Sequence, residues 1–235
     1  MRLLVSVRSA EEAVAASAGG ADVIDAKEPD VGALGAVRPE VLREIRAAVP
    51  SHQLVTAALG DARDGDAVEH LAHVYAASGA TFVKVGFAGV ADSAWVEALI
   101  GACVRGCARS GVIAVAYADT PAGTSIDAMT LPAIAARAGA RGVLVDTADK
   151  QGAGLTALWT VAELSVWVAQ AHEHGLLAAV AGRLGLADFD AACDAGADIV
   201  GVRGAACTGG RNGRVSVNRV RALRVSLDSL GATPH

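Results

Sequence analysis

The chain reads as a single-domain α/β protein, a (β/α)8 barrel, and three observations predict this. First, four segments repeat one pattern: Gly-Ala, a polar or small residue, then an apolar run. They begin at Gly20, Gly79, Gly139 and Gly196, so successive repeats are 59, 60 and 57 residues apart. Second, four more apolar runs lie between them: Leu3–Val7, Leu54–Leu59, Val112–Tyr117 and Leu176–Ala181. Third, Ala-rich helical stretches separate these runs, and 235 residues suit a barrel of roughly 250. Strands that alternate with helices form a parallel sheet, and eight of them are enough to close it.

Each element has a local reason. The opening Met1-Arg2-Leu3-Leu4-Val5-Ser6-Val7 has too short an apolar part for a signal peptide and reads as the first strand. Ser9 with Glu12 forms a capping-box pattern that starts the first helix. Each repeat glycine follows an Ala-rich stretch and suits a helix C′ position feeding the next strand. No linker or low-complexity segment divides residues 1–225. Residues 226–235, ending Gly231-Ala232-Thr233-Pro234-His235, read as a loose tail.

Composition narrows the setting. The hydrophobic fraction is 53%, mostly Ala and Val, with 3% aromatics, which is ample for a packed core. No apolar run reaches the roughly 18 uncharged residues of a membrane span. A net charge of −5 argues against a nucleic-acid surface, which needs a basic face. Cys103 and Cys107 share a helix as small apolar residues, Cys193 also looks helical, and Cys207 sits in a Gly-rich loop. With no CxxC pair, the cysteines fit a reducing, cytoplasmic setting. His70 and His73 share a helix face and His172 and His174 precede a turn, so they form no ligand set; no metal and no cofactor is expected. Neither a membrane nor a nucleic-acid partner is expected, whereas homo-oligomers are common among barrels.

Only three of the twenty basic residues are lysines: Lys27, Lys84 and Lys150. All three are expected at or just beyond the C-terminal ends of strands. A buried amine can lose its proton and act as nucleophile or base, which a guanidinium cannot. Side chains alternate along a strand, so the fifth and seventh residues after each repeat glycine share a face. Those positions hold Asp25 and Lys27, Lys84 and Gly86, Leu144 and Asp146, and Gly201 and Arg203. Charges from the even-numbered strands therefore converge on the C-terminal mouth, where barrel active sites lie. Burying so many charges for stability alone would be unfavourable. Asp61 and Asp119 follow the third and fifth strands and belong either to the site or to helix caps. Lys150 lies in a loop that folds back over the site. The Gly-rich turns Ala181-Gly182-Arg183-Leu184-Gly185 and Gly201-Val202-Arg203-Gly204-Ala205 suit a phosphate pocket, with Arg203 adding a fork to the N–H groups around Gly182, Gly185 and Gly204.

An amine, nearby carboxylates and a phosphate pocket suit imine formation on a phosphorylated carbonyl compound, with carboxylates or a second lysine moving protons. The residue types alone do not say which lysine forms the imine. The string Gly19-Gly20-Ala21-Asp22-Val23-Ile24-Asp25-Ala26-Lys27-Glu28-Pro29, followed by Gly32-Ala33-Leu34-Gly35-Ala36, resembles the (5-formylfuran-3-yl)methyl phosphate synthase family, also called 4-HFC-P synthase. Val83-Lys84-Val85-Gly86, Tyr117-Ala118-Asp119, Leu144-Val145-Asp146-Thr147 with Lys150, and Val200-Gly201-Val202-Arg203-Gly204-Ala205-Ala206-Cys207 extend the likeness over nearly the whole chain. The loop Thr208–Gly213 is shortened and 149–156 differs. The resemblance implies a TIM barrel joining two glyceraldehyde 3-phosphates into a furan aldehyde phosphate, with release of phosphate and water, for methanofuran-type carriers. It implies Lys27 as the Schiff-base lysine and Lys84 as proton acceptor, with Asp25, Asp146 and Lys150 assisting. An aldolase acting on another sugar phosphate, and a non-catalytic barrel that binds phosphometabolites, remain the alternatives.

Overall fold

The computed structural model describes residues 1–231 and shows a closed eight-stranded parallel barrel in sequence order, β8 pairing back onto β1. The order is β1 (Arg2–Val7), α1 (Ala10–Ala18), β2 (Val23–Ala26), α2 (Pro39–Ala48), β3 (Leu54–Asp61), α3 (Gly65–Ala77), β4 (Phe82–Gly86) and α4 (Ser93–Gly106). It continues with β5 (Gly111–Tyr117), α5 (Leu131–Arg137), β6 (Gly142–Asp146), a one-turn α6 (Leu155–Leu158), α7 (Val161–Glu173), β7 (Leu177–Val180), α8 (Phe189–Asp194) and β8 (Ile199–Val202). A small hairpin of β9 (Cys207–Thr208) and β10 (Arg214–Val215) precedes the last helix, α9 (Val217–Gly231).

All eight expected strands form, and the repeat glycines explain why. Gly20, Gly79, Gly139 and Gly196 have φ of 94°, 101°, 83° and 79°, the left-handed conformation that ends a helix and turns the chain into the next strand. Ser9 caps α1 by accepting from the Glu12 N–H, but the capping box is incomplete. The Glu12 carboxylate reaches one residue further back, to the Arg8 N–H at 3.0 Å, because it also holds a buried partner described below.

Two apolar layers result from the alternation along each strand. One fills the space between sheet and helices, with Val5, Ile24, Val83, Val143, Val200 and Trp167 wholly buried. The other fills the barrel interior and comprises Ala58, Ile113, Val115, Tyr117, Leu144 and Ala179, joined by Ala33 and Leu34 from the β2–α2 loop. The expected loose tail is partly corrected. Val220, Leu223 and Leu227 are buried at helical spacing, so α9 continues through residues 226–231 and packs on the barrel; residues 232–235 lie outside the described region. Among the described residues, no helix is long and apolar enough to cross a membrane.

Candidate active site

A cavity of about 330 Å³ opens at the C-terminal mouth, lined from β1, β2, β4, β6 and the loops after β7 and β8. It gathers Asp25, Lys27, Lys84 and Asp146, expected from the repeat, together with Lys150 from the loop after β6. Lys84 sits deeper than expected. It is the middle residue of β4, which runs on to Gly86, so its amine lies beneath the mouth and meets Asp25 at 2.6 Å.

The two aspartates divide the amines unequally. Asp25 is wholly buried and accepts from Ser6 Oγ at 2.8 Å and Thr56 Oγ1 at 2.7 Å as well as from Lys84. Burial alone would raise its pKa, but Lys84 and Lys27 outweigh that and hold the carboxyl below its usual range. Asp146 accepts from Lys150 Nζ at 2.5 Å and from the Thr147 N–H. Burial pushes its pKa up, and Lys150 and Lys27 bring it net below the ordinary value. Burial likewise lowers the Lys150 pKa against the opposing pull of Asp146.

Lys27 is the amine left without a close carboxylate. It is 6% exposed, and Asp146 Oδ2 is 4.0 Å away. Loss of hydration pulls its pKa down to about 7, with Asp146 opposing the shift and Lys84 adding to it. With both aspartates already engaged, a neutral Lys27 leaves these five groups in charge balance.

Other expected site residues fall elsewhere. Asp61 and Asp119 neither line the cavity nor cap the helices that follow; Asp64 caps α3. A bulge in β3 between Ala58 and Asp61, with Gly60 at φ 87°, turns the Asp61 carboxylate across Gly86 to accept from Tyr117 Oη at 2.9 Å. Asp119 accepts from the N–H groups of Ala148 at 2.6 Å and Asp149 at 2.8 Å, which anchors the loop carrying Lys150. Gly182, Gly185, Arg203 and Gly204 do line the cavity, but the Gly185 N–H is committed to Asp188 Oδ2.

Arg203 requires the main correction. All of its N–H directions end on protein acceptors. Nε donates to Arg211 O, Nη1 to Ser6 O and Glu12 Oε2, and Nη2 to Glu12 Oε1 and Gly213 O. No fork remains for an anion. Its effect on Glu12 is plain: burial raises that carboxyl's pKa, but Arg203 brings it below the usual range.

Ser6, Thr56, Tyr117, Arg183 and Arg211 join the site only in three dimensions. Ser6 and Thr56 carry a usable signal in the sequence, since each is a polar residue inside an apolar strand run and both pair in register with Asp25. The half of the mouth over β3 to β5 is filled by Leu34, 2% exposed, and Tyr117. A Cβ on Gly86 would stand 2.7 Å from Leu34 Cδ1 and Tyr117 Oη and would strike Asp61 Oδ1. Gly86→Ala is therefore expected to cost about 1–3 kcal/mol, read as a lower denaturant midpoint with an unchanged m-value.

Fold and cavity together define a (β/α)8-barrel protein with a buried lysine–carboxylate cluster at the catalytic end of the barrel. A model of the 4-HFC-P synthase family matches residues 3–224, and the chain belongs to that family of enzymes. The (5-formylfuran-3-yl)methyl phosphate synthase of Methanothermobacter thermautotrophicus is 38% identical over 97% of this chain and 100% of its own. A putative (5-formylfuran-3-yl)methyl phosphate synthase of Streptomyces griseus is 41% identical over 97% and 95%. Among solved structures, a 3-hexulose-6-phosphate synthase aligns with TM-score 0.64 at 21% identity, over 98% of this chain and 99% of that one. KGPDC from Streptococcus mutans aligns with TM-score 0.65 at 17% identity, over 97% and 98%. These two likenesses establish the fold.

Proposed function

We propose that the chain condenses two molecules of glyceraldehyde 3-phosphate into (5-formylfuran-3-yl)methyl phosphate, releasing phosphate and water, for methanofuran-type cofactor synthesis. The observation that carries this reading is Lys27. Of three amines in the cavity it alone lacks a short carboxylate contact, and burial lowers its pKa to about 7. A neutral amine at the mouth of a barrel is a nucleophile for a carbonyl carbon.

One triose phosphate, isomerised to its ketone form, is captured by Lys27 as an imine. The protonated imine withdraws electrons and acidifies the adjacent C–H. Lys84, held by Asp25, and Lys150, held by Asp146, lie in the same cavity and serve as proton carriers, a contribution on the order of 10²–10⁴-fold. Loss of phosphate and attack on the second triose phosphate build the carbon skeleton, and ring closure with dehydration gives the furan. The names of the full-length relatives support the product.

Incubation with glyceraldehyde 3-phosphate and cyanoborohydride tests the imine: the adduct mass is expected on the peptide containing Lys27, and turnover with an unmodified Lys27 refutes it. An ultraviolet-absorbing furan aldehyde in the product separates this reaction from an ordinary aldol. The trapping rate should also report the amine's protonation. Because only the neutral amine adds, the rate should fall about tenfold for each pH unit below 7 and level off above it. A midpoint near 10 would show that Lys27 stays charged.

A further inference from the structure

We propose that Arg211 is the side chain that recognises the substrate's phosphate monoester, the role that Arg203 cannot fill. The inference rests on reading Lys27 as the imine-forming amine. It begins with charge. Lys84 pairs with Asp25, Lys150 with Asp146 and Arg203 with Glu12. Arg211 also lines the cavity, yet among the described residues it makes no ion pair within 4.0 Å. A neutral Lys27 therefore leaves the unpaired positive charge of the cavity on Arg211, in the loop after β8, and on the exposed Arg183, in the loop after β7.

Geometry points the same way. Arg211 uses Nη2 on the carbonyls of Pro29, at 3.2 Å, and Gly32, at 2.9 Å. Among the described residues its Nε and Nη1 donate to no protein acceptor, so these N–H groups remain available to donate singly to the oxygens of an anion. The backbone N–H groups of Gly182, Arg183, Leu184, Gly204 and Ala205 likewise find no protein acceptor among the described residues. Donors without acceptors, gathered at one rim of a cavity, suit a group that presents several oxygens. Arg203 holds this apparatus in place by binding the carbonyls of Arg211 and Gly213. Gly204 lies against the Arg211 backbone, where a Cβ would come within 3.6 Å. Arg211 thus acts on the anion, whereas Arg203 acts on Arg211.

The test compares cyanoborohydride trapping of glyceraldehyde 3-phosphate and of unphosphorylated glyceraldehyde on Lys27 of the full chain. Wild type should prefer the phosphorylated aldehyde. In Arg211→Met that preference should fall roughly 30–100-fold, with the glyceraldehyde rate unchanged within about twofold. Arg109→Met, which removes an exposed arginine in the α4–β5 connection at the opposite end of the barrel, should keep the preference. If Arg211→Met does not fold, Arg211→Lys should still lose about tenfold, because one ammonium cannot hold the Pro29 and Gly32 carbonyls and also present separate donors to an anion. An intact preference in the Arg211 variants overturns the assignment. So does an equal fall with both aldehydes, which would make Arg211 only a support for the Lys27 segment. Should wild type trap neither aldehyde, it is the imine reading that fails. Inorganic phosphate then decides the assignment: it should raise the melting temperature of wild type but not of Arg211→Met, and an equal rise in both rejects it.

Discussion

Lys27→Met is expected to lose turnover by on the order of 10⁴-fold or more, as removal of a covalent nucleophile does, and yet to be more stable than wild type at pH 7. The second half follows from linkage. The amine titrates near 7 in the folded chain and near 10.4 once unfolded. Between those values the unfolded state binds more protons, so this group makes stability rise with pH across the window. Below pH 7 both states are protonated and the full penalty of burying the charge applies. At pH 7 methionine relieves about 4 kcal/mol. Urea denaturation of both proteins at pH 7 and at pH 10 checks this: the gap should be large at the first and nearly closed at the second. A gap that does not change with pH would mean that Lys27→Met gains its stability from packing and not from relief of a buried charge.

Arg203→Ala should be among the most damaging substitutions anywhere in the barrel. The guanidinium and the Glu12 carboxylate are 3% and 7% exposed, and removing Arg203 leaves that buried carboxylate with only the Arg8 side chain, 3.8 Å away, as a cation, at a cost of about 3 kcal/mol or more. Three carbonyls, of Ser6, Arg211 and Gly213, lose their donor as well. Thermal unfolding should move down by roughly 10 °C. Adding Glu12→Gln should return much of that loss, because the residual penalty is a buried charge that Arg8 alone pairs weakly. Equal melting temperatures for the single and double variants would place the damage in the orphaned carbonyls instead. In wild type this contribution is present above the ordinary carboxyl pKa and is lost as pH falls through the depressed value of Glu12.

The barrel and the charged cluster are both legible in the sequence, for one physical reason. Left-handed glycines mark helix ends at a regular interval, and strict alternation then says which side chains face inward. Asp25, Lys27, Lys84 and Asp146 follow from that rule alone. Lys150 does not, since it lies beyond a strand, but a four-residue offset from Asp146 keeps it in reach. What alternation cannot show is competition between like residues in loops. Arg203 and Arg211 are eight residues apart in a glycine-rich stretch, and the group that engages Arg203 is Glu12, at the other end of the chain. For the same reason Asp61 and Asp119 read as site residues or helix caps, while their partners are a tyrosine on another strand and two amides of another loop. The final helix is hard to read to its end because α9 exposes most of its length and buries few residues, among them Val220, Leu223 and Leu227.

Leu34 and Tyr117 stopper one half of the barrel top. The cavity that holds Lys27 thereby opens on the remaining side of the barrel top, over β1, β2, β6 and the loops after β7 and β8. In the reaction proposed above, both substrate molecules and the expelled inorganic phosphate would share that side of the mouth. Sharing of this kind would tie the order of arrivals and departures to the shape of the mouth as well as to the chemistry.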